Sequence, residues 1–192
     1  MDRVDQVVLQ SAQEGDIEAF ATIVEAYENQ LYTLAFRFLS SEPEAEDAVQ
    51  ETFLRVYMHL PRYDGRFKFT TWLYRIATNV CIDRLRKRKS ESSLDAESYD
   101  WEDGRLDLHD RLPSDALTPE QLLMRSETCN EVHRALCDLQ PNYQTVLILR
   151  YIQDLSLQEI SDILHVPITT VKTRIHRARE AMKQLLGRVP VS

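Results

Sequence analysis

The sequence predicts an all-α protein of two small helical domains joined by an acidic linker, and three observations predict it. Turn formers are scarce, with 4 Gly and 7 Pro in 192 residues, whereas β-sandwiches and glycine-looped nucleotide folds use both freely. Apolar residues recur at helical spacing on both sides of one long interruption. That interruption, Ser90 to Leu117, is rich in Ser, Asp and Glu without a sustained period, the composition of a solvated spacer. The boundaries that follow are 1–90 for the first domain, 91–117 for the linker and 118–192 for the second domain.

Each element has its own signal. Val4, Val7, Val8 and Ala12 share one helical face, which Gly15 ends before Asp16 offers a cap to the next helix. Phe20, Val24, Tyr27, Leu31, Leu34, Ala35 and Phe38 carry the second stripe. Ser41 and Glu44 have capping-box spacing for a third helix reaching about Leu60, where Pro61 follows. An aromatic and cationic loop, Arg62 to Phe69, leads to Thr70 as cap of a fourth helix that runs into Arg84-Leu85-Arg86-Lys87-Arg88-Lys89. Thr118, Pro119 and Gln121 restart helix after the linker. Leu122, Cys129, Val132, Leu136 and Leu139 form its stripe, and Pro141 opens another helix through Val146, Leu147 and Ile152. Ser156 and Glu159 make a further capping box for a short helix striped by Leu157, Ile160, Ile163 and Leu164. After His165-Val166-Pro167 the last helix buries Val171, Ile175, Ala178, Met182 and Leu185. Two short helices across a tight turn are a helix-turn-helix.

A net charge of -8 argues against a polyanionic partner until the chain is divided. Residues 1–60 carry 3 basic and 12 acidic groups, 61–90 carry 9 and 2, 91–128 carry 3 and 11, and 129–192 carry 8 and 6. Two basic islands therefore sit in an acidic chain, and screening confines each charge to its own neighbourhood of about 10 Å.

On a wheel of about 100° per residue, Thr169, Thr173, His176 and Arg177 of the last helix lie opposite its buried stripe, with Thr170 and Lys172 nearby. Such donors and methyls match major-groove base edges, while Arg174 and Arg179 on the flanks suit phosphates. In the fourth helix Leu73, Ile76, Ala77 and Val80 face one way, and Trp72, Arg75, Asn79 and Arg86 the other. A solvated face rarely carries a Trp, whereas an opened strand uses one for stacking, Asn for a base edge and Arg for phosphate. Tyr63, Phe67 and Phe69 could wall an unstacked base; for Phe67 and Phe69, plugging the core is an equal reading. In the third helix Ala48, Val49, Thr52, Phe53 and Val56 face the core, and Asp47, Gln50, Glu51, Leu54 and Met58 oppose them. Acids around an exposed Leu and Met suit a protein-docking face, although spacing alone leaves an ordinary surface equally open.

These residues resemble the extracytoplasmic-function group of bacterial sigma factors along nearly the whole chain. The resemblance is carried by the stretch from Ala45 to Phe53 (AEDAVQETF), that from Phe69 to Asn79 (FTTWLYRIATN), and Leu155 to Ile160 (LSLQEI) followed by Val171 to Arg179 (VKTRIHRAR). It implies that Asp47, Gln50 and Glu51 grip a coiled coil of the largest polymerase subunit, and that the loop and fourth helix melt and read a promoter -10 element. Lys172, Thr173, His176 and Arg177 would read the -35 element, and the linker would pass near the RNA exit path. The chain departs from the family at His176, often aromatic there, and in its long linker. Core RNA polymerase, promoter DNA and a membrane-anchored anti-sigma factor are the partners so implied, in an envelope-stress type of response.

An enzymatic role is not expected, nor a cofactor. The five histidines are scattered without a Ser/His/Asp constellation or phosphate loop. Cys129, His133 and Cys137 share a helix side, but one helix rarely closes a tetrahedral site, and no metal is expected. Three cysteines without a close pair, no signal-peptide pattern and no long apolar run suggest a cytoplasmic protein without membrane insertion. The rival reading is a helix-turn-helix regulator that binds duplex DNA unaided.

Overall fold

The computed structural model describes residues 4–92 and 130–187. The expectations for Thr118, Pro119, Gln121, Leu122, Cys129 and residues 93–117 of the linker lie outside them. The described elements are α1 (Gln6–Gln13), α2 (Ile17–Leu39), α3 (Glu42–His59), a 3₁₀ turn (Leu60–Arg62), α4 (Phe69–Ser92), α5 (130–137), α6 (Pro141–Leu147) continuing as a π turn (Ile148–Ile152), α7 (Leu157–Leu164) and α8 (Ile168–Leu186). Among the described residues there is no strand, and no helix is long and apolar enough to cross a membrane.

In the first domain α2, α3 and α4 pack on one another and α1 lies along α2. Asp16 caps α2 by accepting the amides of Glu18 and Ala19 at 2.9 and 3.3 Å. The predicted stripes meet as Tyr27, Leu31, Leu34, Phe38, Val56, Leu60, Leu73 and Val80, all essentially without solvent contact. In the second domain α6 and α7 both pack on α8 through Val146, Ile160, Ile163, Val171 and Ala178. The capping box at Ser156 and Glu159 forms in full, and His165 in the left-handed region (φ 52°) turns the chain from α7 toward α8.

Several local expectations fail for identifiable reasons. Ser41 stands at the α3 N-terminus without a side-chain capping bond, and the Glu44 carboxylate lies instead 3.7 Å from Arg88 of α4. Helix α4 starts at Phe69, because the Lys68 carbonyl already accepts the Trp72 amide; the Thr70 hydroxyl lies 3.3 Å from the Tyr27 hydroxyl rather than capping. Val7 and Val132 are exposed: α1 buries Ala12 along its contact with α2, and α5 turns Ala135 and Leu136 inward instead. Ile152 is exposed as well, since the π turn adds a residue to the last coil and shifts its phase away from the α-helical stripe.

The two domains touch. Helix α7 lies on α4, and the π turn lies against α2. Tyr74 donates to Gln153 at 2.7 Å and Arg75 to the Asp162 carbonyl at 2.6 Å. Lys68 pairs with Glu159 at 3.3 Å. Gln144, buried, donates to the Arg37 and Phe38 carbonyls at the end of α2, both at 3.3 Å.

Candidate nucleic-acid interface

The recognition surface of α8 follows from its packing. With Val171, Ile175 and Ala178 fixed in the core, the opposite side must face solvent, and Thr169, Lys172, Thr173, His176, Arg177 and Arg179 are exposed. Thr170 and Arg174, nearer the domain, are half-buried. Thr173 donates to the Thr169 carbonyl at 2.9 Å, which presents its methyl outward. Glu180 is paired with Lys183 at 3.1 Å, one turn beyond Arg177.

The loop before α4 is pinned from outside. The Gln13 amide of α1 donates to the Leu60 and Tyr63 carbonyls at 3.2 and 2.9 Å, and Gly65 (φ 71°) allows the tight turn between Asp64 and Arg66. Tyr63, Phe69 and Trp72 form one aromatic cluster: Tyr63 and Trp72 have ring centroids 5.1 Å apart, and Phe69 lies 5.8 Å from each. Phe69 also meets Tyr27 edge-on and is only 4% exposed. Of the two readings left open for it, the structure places Phe69 in the core, beneath Trp72. Trp72 is half-buried, Asn79 and Arg86 exposed. The Arg75 guanidinium stacks 4.9 Å over the half-buried Phe67 ring and reaches α7. Its Nε is buried without a partner among the described residues, and burial lowers its pKa despite the nearby Asp162 carboxylate.

On α3 the predicted outer sector is outside. Asp47 and Gln50 are exposed, with Leu54 61% and Met58 64% accessible. Glu51 has a second task. It accepts from Arg55 at 2.6 Å and from Arg84 of α4 at 2.8 Å. Burial opposes its charge, but hydrogen bonds from Arg84 and Arg55 prevail and hold the carboxyl below its ordinary range. Glu51 therefore ties α3 to α4.

Sequence reasoning missed the polar residues that join the domains. His133 stacks on Phe36 at 5.7 Å and meets the Ser40 hydroxyl at 3.1 Å and Arg37 at 3.4 Å. Cys137 lies 2.9 Å from the same hydroxyl. Ser40 holds that position in the left-handed region (φ 58°) at the end of α2. Two of the three residues weighed as metal ligands are thus engaged with α2, while Cys129 lies outside the described residues. Lys68 and Arg84, which also bridge elements, were visible only as members of the basic island.

Burial, and then the Arg37 guanidinium, push the His133 pKa from 6.5 to about 4, so the ring is neutral in the contact. A separated His133 binds its proton more tightly, and the contact is fully supported above about pH 6.5 and weakens as pH falls toward 4. Energy transfer between dyes on the two domains is expected to fall over that window, and His133→Gln to remove the histidine-dependent part. A pH response identical in that variant would contradict the assignment.

Fold and surfaces together define a class: a two-domain helical DNA-binding protein with a helix-turn-helix at one end and an aromatic, cationic helix at the other. Comparison with known proteins narrows it. Sigma-70 region 2 matches residues 23–91 and sigma-70 region 4 matches residues 129–182. The ECF RNA polymerase sigma factor SigW of Bacillus subtilis is 43% identical over 178 residues, covering 93% of this chain and 94% of that one. The ECF RNA polymerase sigma-E factor of Haemophilus influenzae is 35% identical over 185 residues, 93% of each chain. The chain belongs to the extracytoplasmic-function sigma factors of RNA polymerase. Its fold is also that of CnrH, solved in complex with the cytosolic domain of CnrY (TM-score 0.68, 24% identity, 95% of this chain and 97% of that one). It matches the sigma factor RpoE, solved with the anti-sigma factor NepR from Bartonella quintana, at a TM-score of 0.65 and 21% identity over 90% and 99% of the two chains.

Proposed function

We propose that the three surfaces divide the work of promoter-specific initiation. Asp47, Gln50, Leu54 and Met58 dock on core polymerase, assisted by Glu51. Trp72, Arg75, Asn79 and Arg86, walled by Tyr63 and Phe67, hold the opened -10 strand; Phe69 acts by supporting Trp72 from below. Thr169, Thr170, Lys172, Thr173, His176 and Arg177 read the -35 duplex, with Arg174 and Arg179 on phosphates. The observation that carries this reading is the exposed outer face of α8 in a helix-turn-helix whose first helix carries a complete capping box. The polymerase supplies the chemistry and this chain supplies sequence choice, without catalysis, cofactor or metal of its own. Capturing flipped bases is offset by stacking at about 1 to 3 kcal/mol per base.

Domain boundaries of 1–90, 91–117 and 118–192 fit this division, with α4 extending to Ser92. CnrH and RpoE were solved with CnrY and with the anti-sigma factor NepR respectively, and we infer an anti-sigma partner for this chain too, anchored in the membrane while the factor works in the cytoplasm in a response to envelope stress.

Run-off transcription from a promoter library tests the assignment: initiation is expected only when core polymerase and this chain are both present. Tight, specific promoter binding by the chain alone would favour a stand-alone regulator. Within that assay Arg177→Ala is expected to relax -35 preference at a cost of about 1 to 3 kcal/mol, and Arg179→Ala to weaken all promoters evenly. Equal losses on every promoter for both variants would refute the division between base reading and phosphate contact.

A further inference from the structure

We propose that the cleft between α8 and the turn opening α6 seats a backbone phosphodiester of the -35 duplex, and that Gln140, Asn142 and Tyr143 are positioning residues for promoter binding; this rests on α8 being the helix that enters the groove. The cleft encloses about 380 Å³, with Thr173, Arg174 and Arg177 of α8 on one wall and Gln140, Asn142 and Tyr143 on the other. None of its lining residues is acidic.

The state of the donors points to an anion. Among the described residues, Arg55, Arg84, Arg88, Lys68 and Lys183 each face a carboxylate. Among the same described residues Arg174 and Arg177 form no ion pair, and the side chains of Gln140, Asn142 and Tyr143 form no hydrogen bond. Arg174, a phosphate contact in the proposed function, and three neutral donors thus converge on one acid-free cleft with Arg177 of the base-reading face beside them, whereas Lys172 and Arg179, likewise without an ion pair among the described residues, do not line it. A phosphodiester supplies what they lack: one negative charge spread over two oxygens, held at a fixed distance from the bases in the groove.

The second wall is held in register with the first. The Gln140 carbonyl accepts the amides of Tyr143 and Gln144 at 2.8 and 3.0 Å, Leu139 is buried just before the turn, and α6 packs along α8. A strand seated between the walls therefore fixes how far α8 enters the groove, which is how backbone contacts set orientation without carrying sequence information.

Neutral donors leave a signature that cations do not. A Lys or Arg contact releases a counterion and steepens the salt dependence, whereas an amide or phenol contact adds affinity with no change of slope. The test uses holoenzyme made from the full chain and core polymerase, with a pool of promoter duplexes randomised in the -35 segment, retained on a filter at several salt concentrations. Wild type is expected to enrich one motif. Asn142→Ala and Tyr143→Phe should enrich the same motif with retention about three- to tenfold lower at every salt concentration, the salt slope unchanged. Both variants should match wild type in thermal unfolding, since Asn142 is exposed and Phe retains the Tyr143 ring. Unchanged retention in both variants overturns the inference, as does a shifted motif, which would place Asn142 on a base edge. If wild type itself enriches no motif, the reading of α8 falls and the cleft with it; a wild-type motif beside unaffected variants sinks the cleft alone.

Discussion

Replacing both Leu54 and Met58 by Asp is expected to abolish holoenzyme assembly while leaving the free protein as stable as wild type. The two side chains are more than half exposed, so the change removes no core contact, and surface substitutions of this kind usually alter stability by less than about 0.5 kcal/mol. At an interface the same atoms are desolvated, and central apolar anchors often cost 2 kcal/mol or more when lost, a factor of about 30 in affinity. Two carboxylates placed along the same face as Asp47 would add their own desolvation penalty. Gln50→Ala belongs in the same experiment as a milder probe. Glu51→Ala does not, because Glu51 also accepts from Arg84 and Arg55 and its loss would loosen α3 against α4. Association measured by fluorescence anisotropy against core polymerase, together with thermal unfolding of the free chain, checks both halves. Wild-type affinity in the double variant would remove α3 as the docking face.

The contrast between Leu54 and Glu51 illustrates what the sequence could and could not convey. The phase of α3 was legible because one helix has one period: Ala48, Val49, Thr52, Phe53 and Val56 are buried as their spacing requires, and the exposed sector follows by subtraction. The outer face of α8 was legible for the same reason. Glu51 lies in the exposed sector by phase, yet Arg84, 33 positions later, draws it onto α4. Local rules failed wherever a distant partner competed: Glu44 turned to Arg88 instead of completing a capping box, and Thr70 to Tyr27 instead of capping α4. Phe69 shows the limit of the wheel itself. It heads a helix, where phase is weakly defined, and its packing against the rings of Tyr27, Tyr63 and Trp72 takes it inward.

The contact between the domains was not legible at all. It includes Tyr74 and Gln153, Arg75 and Asp162, and Ser40 and His133, pairs separated by 79, 87 and 93 positions. None of these residues belongs to an apolar stripe, and nothing local marks any of them, Arg75 and His133 included, as a contact between domains until its partner is known. The consequence for function is asymmetric. Helix α7 takes up Lys68 and Arg75 and Gln153, just before it, takes up Tyr74, whereas the proposed docking sector of α3 and the outer face of α8 remain open. Under the proposed division of surfaces, polymerase docking and -35 reading can therefore begin from this arrangement, while full use of the proposed -10 surface requires α7 to leave α4.

Arg75→Ala is accordingly expected to act in two opposite directions. In the free protein the guanidinium holds the domains together through the Asp162 carbonyl, but inefficiently: it is partly desolvated, and its Nε is buried without a partner among the described residues. An unmet buried donor forfeits about 1 to 3 kcal/mol, so the contact is weaker than its 2.6 Å length suggests, and the freed group gains by meeting a phosphate with all its donors. Truncation should therefore lengthen the mean distance between the domains, read by energy transfer between dyes on α3 and α8. Transcription from a closed duplex promoter should fall despite that opening, by about 30-fold if one charged hydrogen bond of about 2 kcal/mol to the opened strand is lost. On a template with an artificial bubble at the -10 segment the deficit should shrink, because the cost of opening has been met in advance. Gln153→Ala separates the two effects, since it removes the partner that Tyr74 meets on the second domain while leaving every cation in place: it should loosen the domains and leave transcription at least at the wild-type level. Should Arg75→Ala loosen the domains with no loss of duplex transcription, Arg75 belongs to the domain contact alone, and strand capture must rest on Trp72 and Asn79.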